Sequence, residues 1–398
     1  MSPSPARRAF VLVIDACGAG ALPDAADYGD EGTNTLSHLA QAAGGLRLPV
    51  MQALGLGSIL DIDGVPPSPG PAIHGRLAPL GPGKDSITGH WELMGVSLPA
   101  ALPTYPEGFP EPLVRRLEKA IGREMICNRP DNGLAAIEHY GAEHLRSGAL
   151  ILYTSQDSVL QLAGHVEVIG EAELYEACER ARELMSGSDG VGRVIARPFT
   201  GRPGAFERTP GRRDFSLAPP GPSYLEEIER AGLPVTGVGK IGDLFAGRGI
   251  SATLPGVSNE QALESVAALA GSMPAGFAFA NLIETDQRYG HRKDVEGFAR
   301  ALEQIDERVG ELVAALGEGD LLIVTADHGV DPLHPGSDHT REHAPLLALT
   351  GAMARAGAAG GSYGGRRHDG PMADVGASVL WWLTGGAAPA LPGRSFLS

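Results

Sequence analysis

At 398 residues the chain is long enough for two hydrophobic cores, or for one large core with an inserted lobe. Hydrophobic residues make up 43% and charged residues 20%, the balance of a globular protein. The formal net charge of −16 argues against a nucleic-acid partner, which would need a local basic patch.

The chain opens MSPSPARRAFVLVIDACG, basic residues before an apolar run. Asp15 interrupts that run after FVLVI, too early for the apolar region of a secretory signal. No later stretch reaches the length of a membrane span. Cys17, Cys127 and Cys178 are widely spaced and form neither a zinc-ligand pattern nor a disulfide framework. The expectation is a reduced, cytoplasmic protein with no membrane partner.

The apolar run AFVLVID reads as a buried strand that ends at Asp15, and NTLSHLAQAAGG as a helix. Residues 83–92, GKDSITGHWE, then crowd Lys84, Asp85, Ser86, Thr88, His90 and Glu92 into ten positions punctuated by Gly83 and Gly89. Residues 101–220 change character. They hold LPTYPEGFPEP, the strand-like ALILYTSQDSVLQ, a helical EAELYEACERARELM and the arginine-rich RPFTGRPGAFERTPGRR, and they read as a smaller α/β lobe inserted into the core. Helical SYLEEIERAG and strand-like PVTGVGK follow, ending at Lys240. FAFANLIETD ends at Asp286, EGFARALEQIDERVGELVAAL is helical, and LLIVTADH ends at Asp327 and His328. Residues 351–370 read as a loop-forming stretch, and ADVGASVLWWLTG as a last helix that lays its tryptophan pair on the core. The fold class is α/β, a mostly parallel sheet covered by helices. The core comprises residues 1–100 and 221–398. Ligands collect at the carboxyl ends of such strands, where these acidic and imidazole residues fall.

Candidate metal ligands come from three strand ends and one loop: Asp15, then Asp286 with His291, then Asp327 with His328, then His339 and His343 from GSDHTREH. Mixed carboxylate and imidazole donors suit zinc or manganese, and sets of three suit catalytic sites with an open position. The number of donors points to a two-metal centre, the arrangement that clamps the attacking and leaving oxygens of a phosphoryl group. Ser86 is the expected nucleophile, because a divalent cation would lower the pKa of its hydroxyl and flanking glycines let backbone approach a phosphate. A helix beginning at Ile87 or Thr88, capped by Ser86, would add a favourable anion site. Thr88 is the rival nucleophile.

GKDSITGHWELMG, NLIETDQRYGHRKD, TADHGVDP, SDHTREHAPLL, YTSQDSVLQ and VGRVIARPF together resemble the signature segments of the phosphopentomutase family, within the alkaline phosphatase superfamily. The resemblance runs from RAFVLVIDACGAGALPDAADYGDEGTNTLSH to ADVGASV, nearly the whole chain. It implies an alkaline-phosphatase-like core with the inserted lobe as its cap. One metal would be held by Asp286, His291 and His339, and the other by Asp15, Asp327 and His328, with Ser86 reaching it. It also implies manganese, a phosphorylated Ser86, and a sugar-bisphosphate activator. The implied reaction interconverts α-ribose 1-phosphate, or its 2-deoxy analogue, with the 5-phosphate, in nucleoside metabolism. Asp157, Arg193, Arg208 and Lys240 match positions that face the sugar or its distal phosphate, as arginine-rich loops can.

The sequence departs from the family at Ser86, where threonine is usual, and at ETDQ, which replaces Asp-Phe-Asp while keeping Asp286. Val330 stands where Asn commonly follows the DHG, and Ala16 where Ser commonly follows Asp15. All six implied ligands are present. The alternatives are a metal-dependent phosphatase or phosphodiesterase of the same superfamily, a phosphoglycerate-type mutase, and a silent sugar-phosphate-binding protein. Oligomeric state and preferred pentose stay open.

Overall fold

The computed structural model describes residues 6–155, 157–358 and 365–398. The chain folds as two compact units, Met1–Ala101 with Pro219–Ser398, and Leu102–Ala218.

The first unit starts with strand β1 (Arg8–Ile14), helices α1 (Thr35–Ala43) and α2 (Pro49–Ala53), strand β2 (Ile73–Ala78) and helix α3 (Ser86–Leu93). The second unit holds α4 (Glu111–Ile121), β3 (Met125–Pro130), α5 (Gly133–Ser147), β4 (Leu150–Thr154) and β5 (Val159–His165). It continues with α6 (Glu171–Leu184), β6 (Arg193–Arg202), β7 (Ala205–Arg208) and β8 (Arg213–Ser216). The chain then returns to the first unit through α7 (Tyr224–Arg230), β9 (Val235–Val238), α8 (Ile241–Leu244), β10 (Ala252–Leu254) and α9 (Asn259–Ser272). It ends with β11 (Gly276–Leu282), α10 (Val295–Ala315), β12 (Asp320–Thr325), β13 (Ala344–Thr350), α11 (Gly351–Ala358), β14 (Gly370–Pro371) and α12 (Asp374–Thr384).

The first unit is built on an eight-stranded sheet in the order β10-β9-β11-β1-β12-β13-β2-β14. Parallel pairing runs from β10 to β12, and β13 is antiparallel to both β12 and β2. β1, β11 and β12 are buried almost along their whole lengths, which is why they read as continuous apolar runs rather than alternating ones. Their shared register brings Ile14, Leu282 and Thr325 to one edge, so the residues just beyond these strand ends converge. At the opposite end Arg8 makes a two-point ion pair with Asp320, Nε–Oδ1 2.7 Å and Nη2–Oδ2 2.6 Å, and donates to the Ala270 carbonyl closing α9. Asp320 is buried, so Asp320→Asn should cost about 2 kcal/mol by weakening charge-assisted bonds to a largely desolvated guanidinium. Urea unfolding reads this directly; a change below about 0.5 kcal/mol would show the pair to be stabilising nothing.

The second unit has a separate six-stranded sheet, β3-β4-β5-β6-β7 with β8 also on β6, and two apolar clusters on its faces. One cluster is built from α4, α6 and residues such as Leu152, Leu162 and Val194; the other holds Ile137 of α5 with Ile151, Tyr153 and Phe199.

Three expectations change. ALILYTSQDSVLQ is two antiparallel strands, β4 and β5, with the polar Ser155, Asp157 and Ser158 between them; Gln156 lies outside the described residues. Residues 351–358 form α11 rather than loop, helped by the good helix formers Ala and Met; 359–364 lie outside the described residues. α3 begins at Ser86 itself, and its cap is Asp85.

Candidate metal and phosphoryl-transfer site

Asp15 follows β1, Asp327 and His328 follow β12, and Asp286 follows β11. Asp286 sits in a single π-helical turn, Thr285–Tyr289, and His291 in the 3₁₀ turn that follows it. Such widened turns recur at functional sites because they re-aim one side chain out of the helical row. Ala16 adopts a left-handed φ of 64°, a strained choice for alanine that lets its N–H donate to Asp327 Oδ1 at 3.1 Å.

Ser86 is the first residue of α3, where the helix start favours negative charge. Asp85 caps the helix by accepting from the Ile87 and Thr88 N–H groups at 2.9 and 3.1 Å. Thr88 Oγ1 accepts from the Asp85 N–H at 3.4 Å, completing the capping box, and donates to Asp85 Oδ2 at 2.7 Å, so its hydroxyl is engaged in the cap. Ser86 Oγ instead stands 3.2 Å from Asp15 Oδ1 and 3.2 Å from His328 Nε2. Lys84 on the preceding loop pairs with Asp30 (2.9 Å), and buried Arg341 donates to the Gly83 carbonyl (2.7 Å). The loop leading into Ser86 is thus fastened from both sides.

The candidate ligands form two adjoining clusters. Asp15, Asp327 and His328 place donor atoms within 4.8 Å of one another, and so do Asp286, His328 and His339. His291 Nε2 joins the second, 3.3 Å from the same Asp286 oxygen that lies 3.3 Å from His339 Nε2. His328 belongs to both, so the two centres are neighbours. Asp286 Oδ1 and Asp327 Oδ2 are buried and make no aligned hydrogen bond among the described residues. Buried carboxylate oxygens left that way are costly unless a cation takes them. Burial and the charge of Asp15 push Asp327 up, while the hydrogen bond and charge of His328 outweigh burial and hold Asp15 below the usual carboxylate range. One acid strained towards its neutral form beside one held ionised is the signature of a carboxylate pair short of positive charge. The donor set fits divalent ions.

His343 does not join. Its Nδ1 lies 3.1 Å from the Gly20 carbonyl oxygen, and burial lowers its pKa. Lys240 is the cap residue of α8. Asp157 and Arg193 meet within the second unit at 3.4 Å, and Arg208 stands exposed at the end of β7.

A supporting layer around the ligands was not apparent from the motifs. His90 Nδ1 donates to the Ser86 carbonyl at 2.7 Å and lies 3.2 Å from Asp327 Oδ2. Asn281 Nδ2 donates to Asp15 Oδ2 at 2.8 Å and to His90 Nε2 at 3.2 Å. These two residues fix Asp15, Asp327 and α3 in one frame, as outer partners of metal ligands do. His90 stands in the GKDSITGHWE motif and Asn281 at the end of an apolar strand, so a buried polar residue in each was the available signal. Gly89 makes this packing possible: a Cβ there would lie 2.4 Å from the Asp327 carbonyl oxygen. Gly89→Ala should cost about 2 kcal/mol by overpacking and displace Asp327. Bound divalent metal per chain, measured after gel filtration, should fall; full occupancy would show that α3 can yield without disturbing the candidate ligands.

The sheet, with two carboxylate–imidazole clusters at its strand ends beside a helix-borne hydroxyl, defines a divalent-metal enzyme, and the Metalloenzyme superfamily matches residues 7–384. A phosphopentomutase of Caldanaerobacter subterraneus subsp. tengcongensis is 47% identical over 87% of this chain and 88% of its own length. One from Desulfitobacterium hafniense is 44% identical over 98% and 99%, and one from Anaeromyxobacter dehalogenans 46% over 94% of each. The chain belongs to the phosphopentomutase family. No helix among the described residues is long and apolar enough to cross a membrane.

Proposed function

We propose that this enzyme interconverts α-ribose 1-phosphate, or 2-deoxyribose 1-phosphate, with the corresponding 5-phosphate, by phosphoryl transfer through Ser86. The observation that carries the proposal is Ser86 Oγ at the first position of α3, 3.2 Å from both Asp15 and His328, at the edge of two abutting ligand sets. Asp15, Asp327 and His328 would hold one divalent ion, and Asp286, His291 and His339 the other, manganese being the ion proposed for both. When bound, the ions supply positive charge to the phosphoryl oxygens and acidify the serine hydroxyl.

The working form carries phosphate on Ser86. It gives that group to the free hydroxyl of a sugar monophosphate, producing a bisphosphate, and recovers the other phosphate after the sugar turns round. Ser86 Oγ thus alternates between ester oxygen and nucleophile. The start of α3 faces developing negative charge in both directions. Asp157, Arg193, Arg208 and Lys240 are proposed to bind the sugar phosphate, and a sugar bisphosphate to prime the serine. Water must be kept from phospho-Ser86, or transfer becomes hydrolysis.

The phosphatase alternative differs only in that last respect, so one assay separates them. Manganese-loaded protein is given ribose 1-phosphate, and ribose 5-phosphate and inorganic phosphate are followed in the same tube. Isomer with little free phosphate is expected. Free phosphate in place of isomer would assign the site to hydrolysis.

A further inference from the structure

Glu342 stands three residues after His339 in the sequence, and its side chain is buried. Its carboxylate is held by neutral donors. Oε1 accepts from the Thr35 hydroxyl at 2.8 Å and from the Thr340 hydroxyl at 2.7 Å. Oε2 accepts from the Thr35 N–H at 2.9 Å and from the Gly20 N–H at 3.2 Å. A glutamate is seldom buried so completely, and burying one costs stability unless its oxygens are matched. Here each oxygen takes two bonds.

Two glycines make room for it. A Cβ on Gly18 would lie 2.4 Å from Glu342 Oε2, and one on Gly329 would lie 2.5 Å from Oε1. Neither glycine has a positive φ, so the close approach of Glu342, not backbone freedom, is what excludes a side chain there. The segments gathered in this way carry candidate ligands of both centres. Gly18 and Gly20 follow Asp15, Gly329 follows His328, and Thr340 follows His339. Main-chain bonds join the same segments. The Val330 N–H donates to the Ala16 carbonyl at 3.2 Å, and Gly329 and Thr340 exchange bonds of 3.2 and 2.7 Å. Asp15 belongs to one candidate cluster, His339 to the other, and His328 to both.

We infer that Glu342 is a positioning residue that sets the spacing of the two metal centres, by holding the Asp15, His328 and His339 segments on one carboxylate. The inference rests on the two-metal reading of the site given above. Glu342 acts through the geometry of its four hydrogen bonds and not through its charge. An amide would serve as well: its oxygen takes the two N–H groups, and its NH2 meets two hydroxyls that can turn to accept. An apolar side chain would leave the Gly20 and Thr35 N–H groups buried without an acceptor, and the segments would shift to find others.

The test is titration of the manganese-loaded, full-length protein with a fluorescent chelator, which reads how tightly each variant holds the metal. Glu342→Leu keeps the bulk of the side chain and should weaken manganese about 10- to 100-fold, the loss expected when an outer partner of metal ligands is removed. At saturating manganese its kcat for ribose 1-phosphate should fall by a similar factor, with KM within about twofold of the parent. Glu342→Gln removes the charge and should nevertheless hold manganese within about threefold of the parent. Thr340→Val deletes one of the four bonds, should weaken manganese about 5-fold, and decides the matter should Glu342→Leu not fold. A lower melting temperature with unchanged manganese affinity in Glu342→Leu and Thr340→Val would show a merely structural residue and overturn the inference. Glu342→Gln as weak as Glu342→Leu would overturn it too, by showing that the centres need the charge. Manganese binding by the parent judges the two-metal reading, and its isomerisation of ribose 1-phosphate judges the mutase reading. Absent isomerisation alongside variant-sensitive manganese binding would sink the mutase reading and leave the positioning role standing.

Discussion

Ser86→Ala should lower isomerisation by at least about 10⁴-fold while leaving bound metal and melting temperature close to those of the parent, because the substitution removes the group that carries phosphate and little else. Ser86 is half-buried at the first position of α3, and alanine is a good helix former there. The fold should therefore not confuse the result. Ser86→Thr keeps a hydroxyl and should retain activity within about tenfold, since nucleophilic catalysis needs the oxygen more than the absent methyl. Thr88→Ala is the matched control. Its hydroxyl serves the Asp85 capping box, so losing it should cost about 1 kcal/mol of stability and leave most of the activity. More than about 1% activity in Ser86→Ala would put the transferred group elsewhere.

Chelation should silence the enzyme, and added manganese should restore it. Without cations, Asp15 and Asp327 are buried together, Asp327 is pushed up by burial and by the charge of Asp15, and Asp286 Oδ1 is buried without an aligned partner among the described residues. Removing one ligand, as in Asp327→Asn, keeps the volume but takes away the charge that draws the cation and the acceptor facing His90. Activity should fall by about 10³-fold or more, the loss expected when charge stabilisation of a transferring phosphoryl group is removed. The thermal signature is separate: melting temperature should rise with manganese concentration in the parent, by about 2.7 kcal/mol of stabilisation per site at 100 times Kd. Asp327→Asn should lose at least half of that rise. A chelated protein with full activity would remove the metals from the chemistry altogether.

The candidate ligands were legible because a buried parallel strand advertises itself. FVLVI, AFANL and LLIVT are apolar throughout or nearly so, and an acid within four residues of each end, Asp15, Asp286 and Asp327, is conspicuous; parallel register brings these three to one edge. What stayed hidden depends on long-range pairing. β13 lies antiparallel between β12 and β2, an arrangement no local pattern announces. His343 shares the composition of His339, four residues earlier, yet β13 begins immediately after it and carries it towards Gly20. His90 and Asn281 are tied together at 3.2 Å across 191 residues of sequence, so neither looks like part of a site until the strands are paired. Asp85 outcompeted Ser86 as cap because its carboxylate reaches two N–H groups at once, which frees the serine hydroxyl for Asp15 and His328.

Residues outside the candidate ligand sets also hold the segment that leads into Ser86. Arg341 is buried, and its guanidinium reaches Asp24 and the Gly83 carbonyl, holding the residues just ahead of Ser86. Glu342 beside it accepts from Thr35 and Thr340, anchoring the start of α1. Positioning of this kind matters in phosphoryl transfer, where the protein contributes alignment and charge more than covalent chemistry.

The most direct measurement is the location of phosphate on the enzyme during turnover. Manganese-loaded protein mixed with ribose 1-phosphate and a trace of ribose bisphosphate is quenched in acid and cut into peptides, which are read by mass spectrometry. Phosphate on Ser86, gained with substrate and absent without manganese, is the predicted result. Isomer formed with no phosphate on Ser86, or with phosphate on Thr88 instead, would contradict the account.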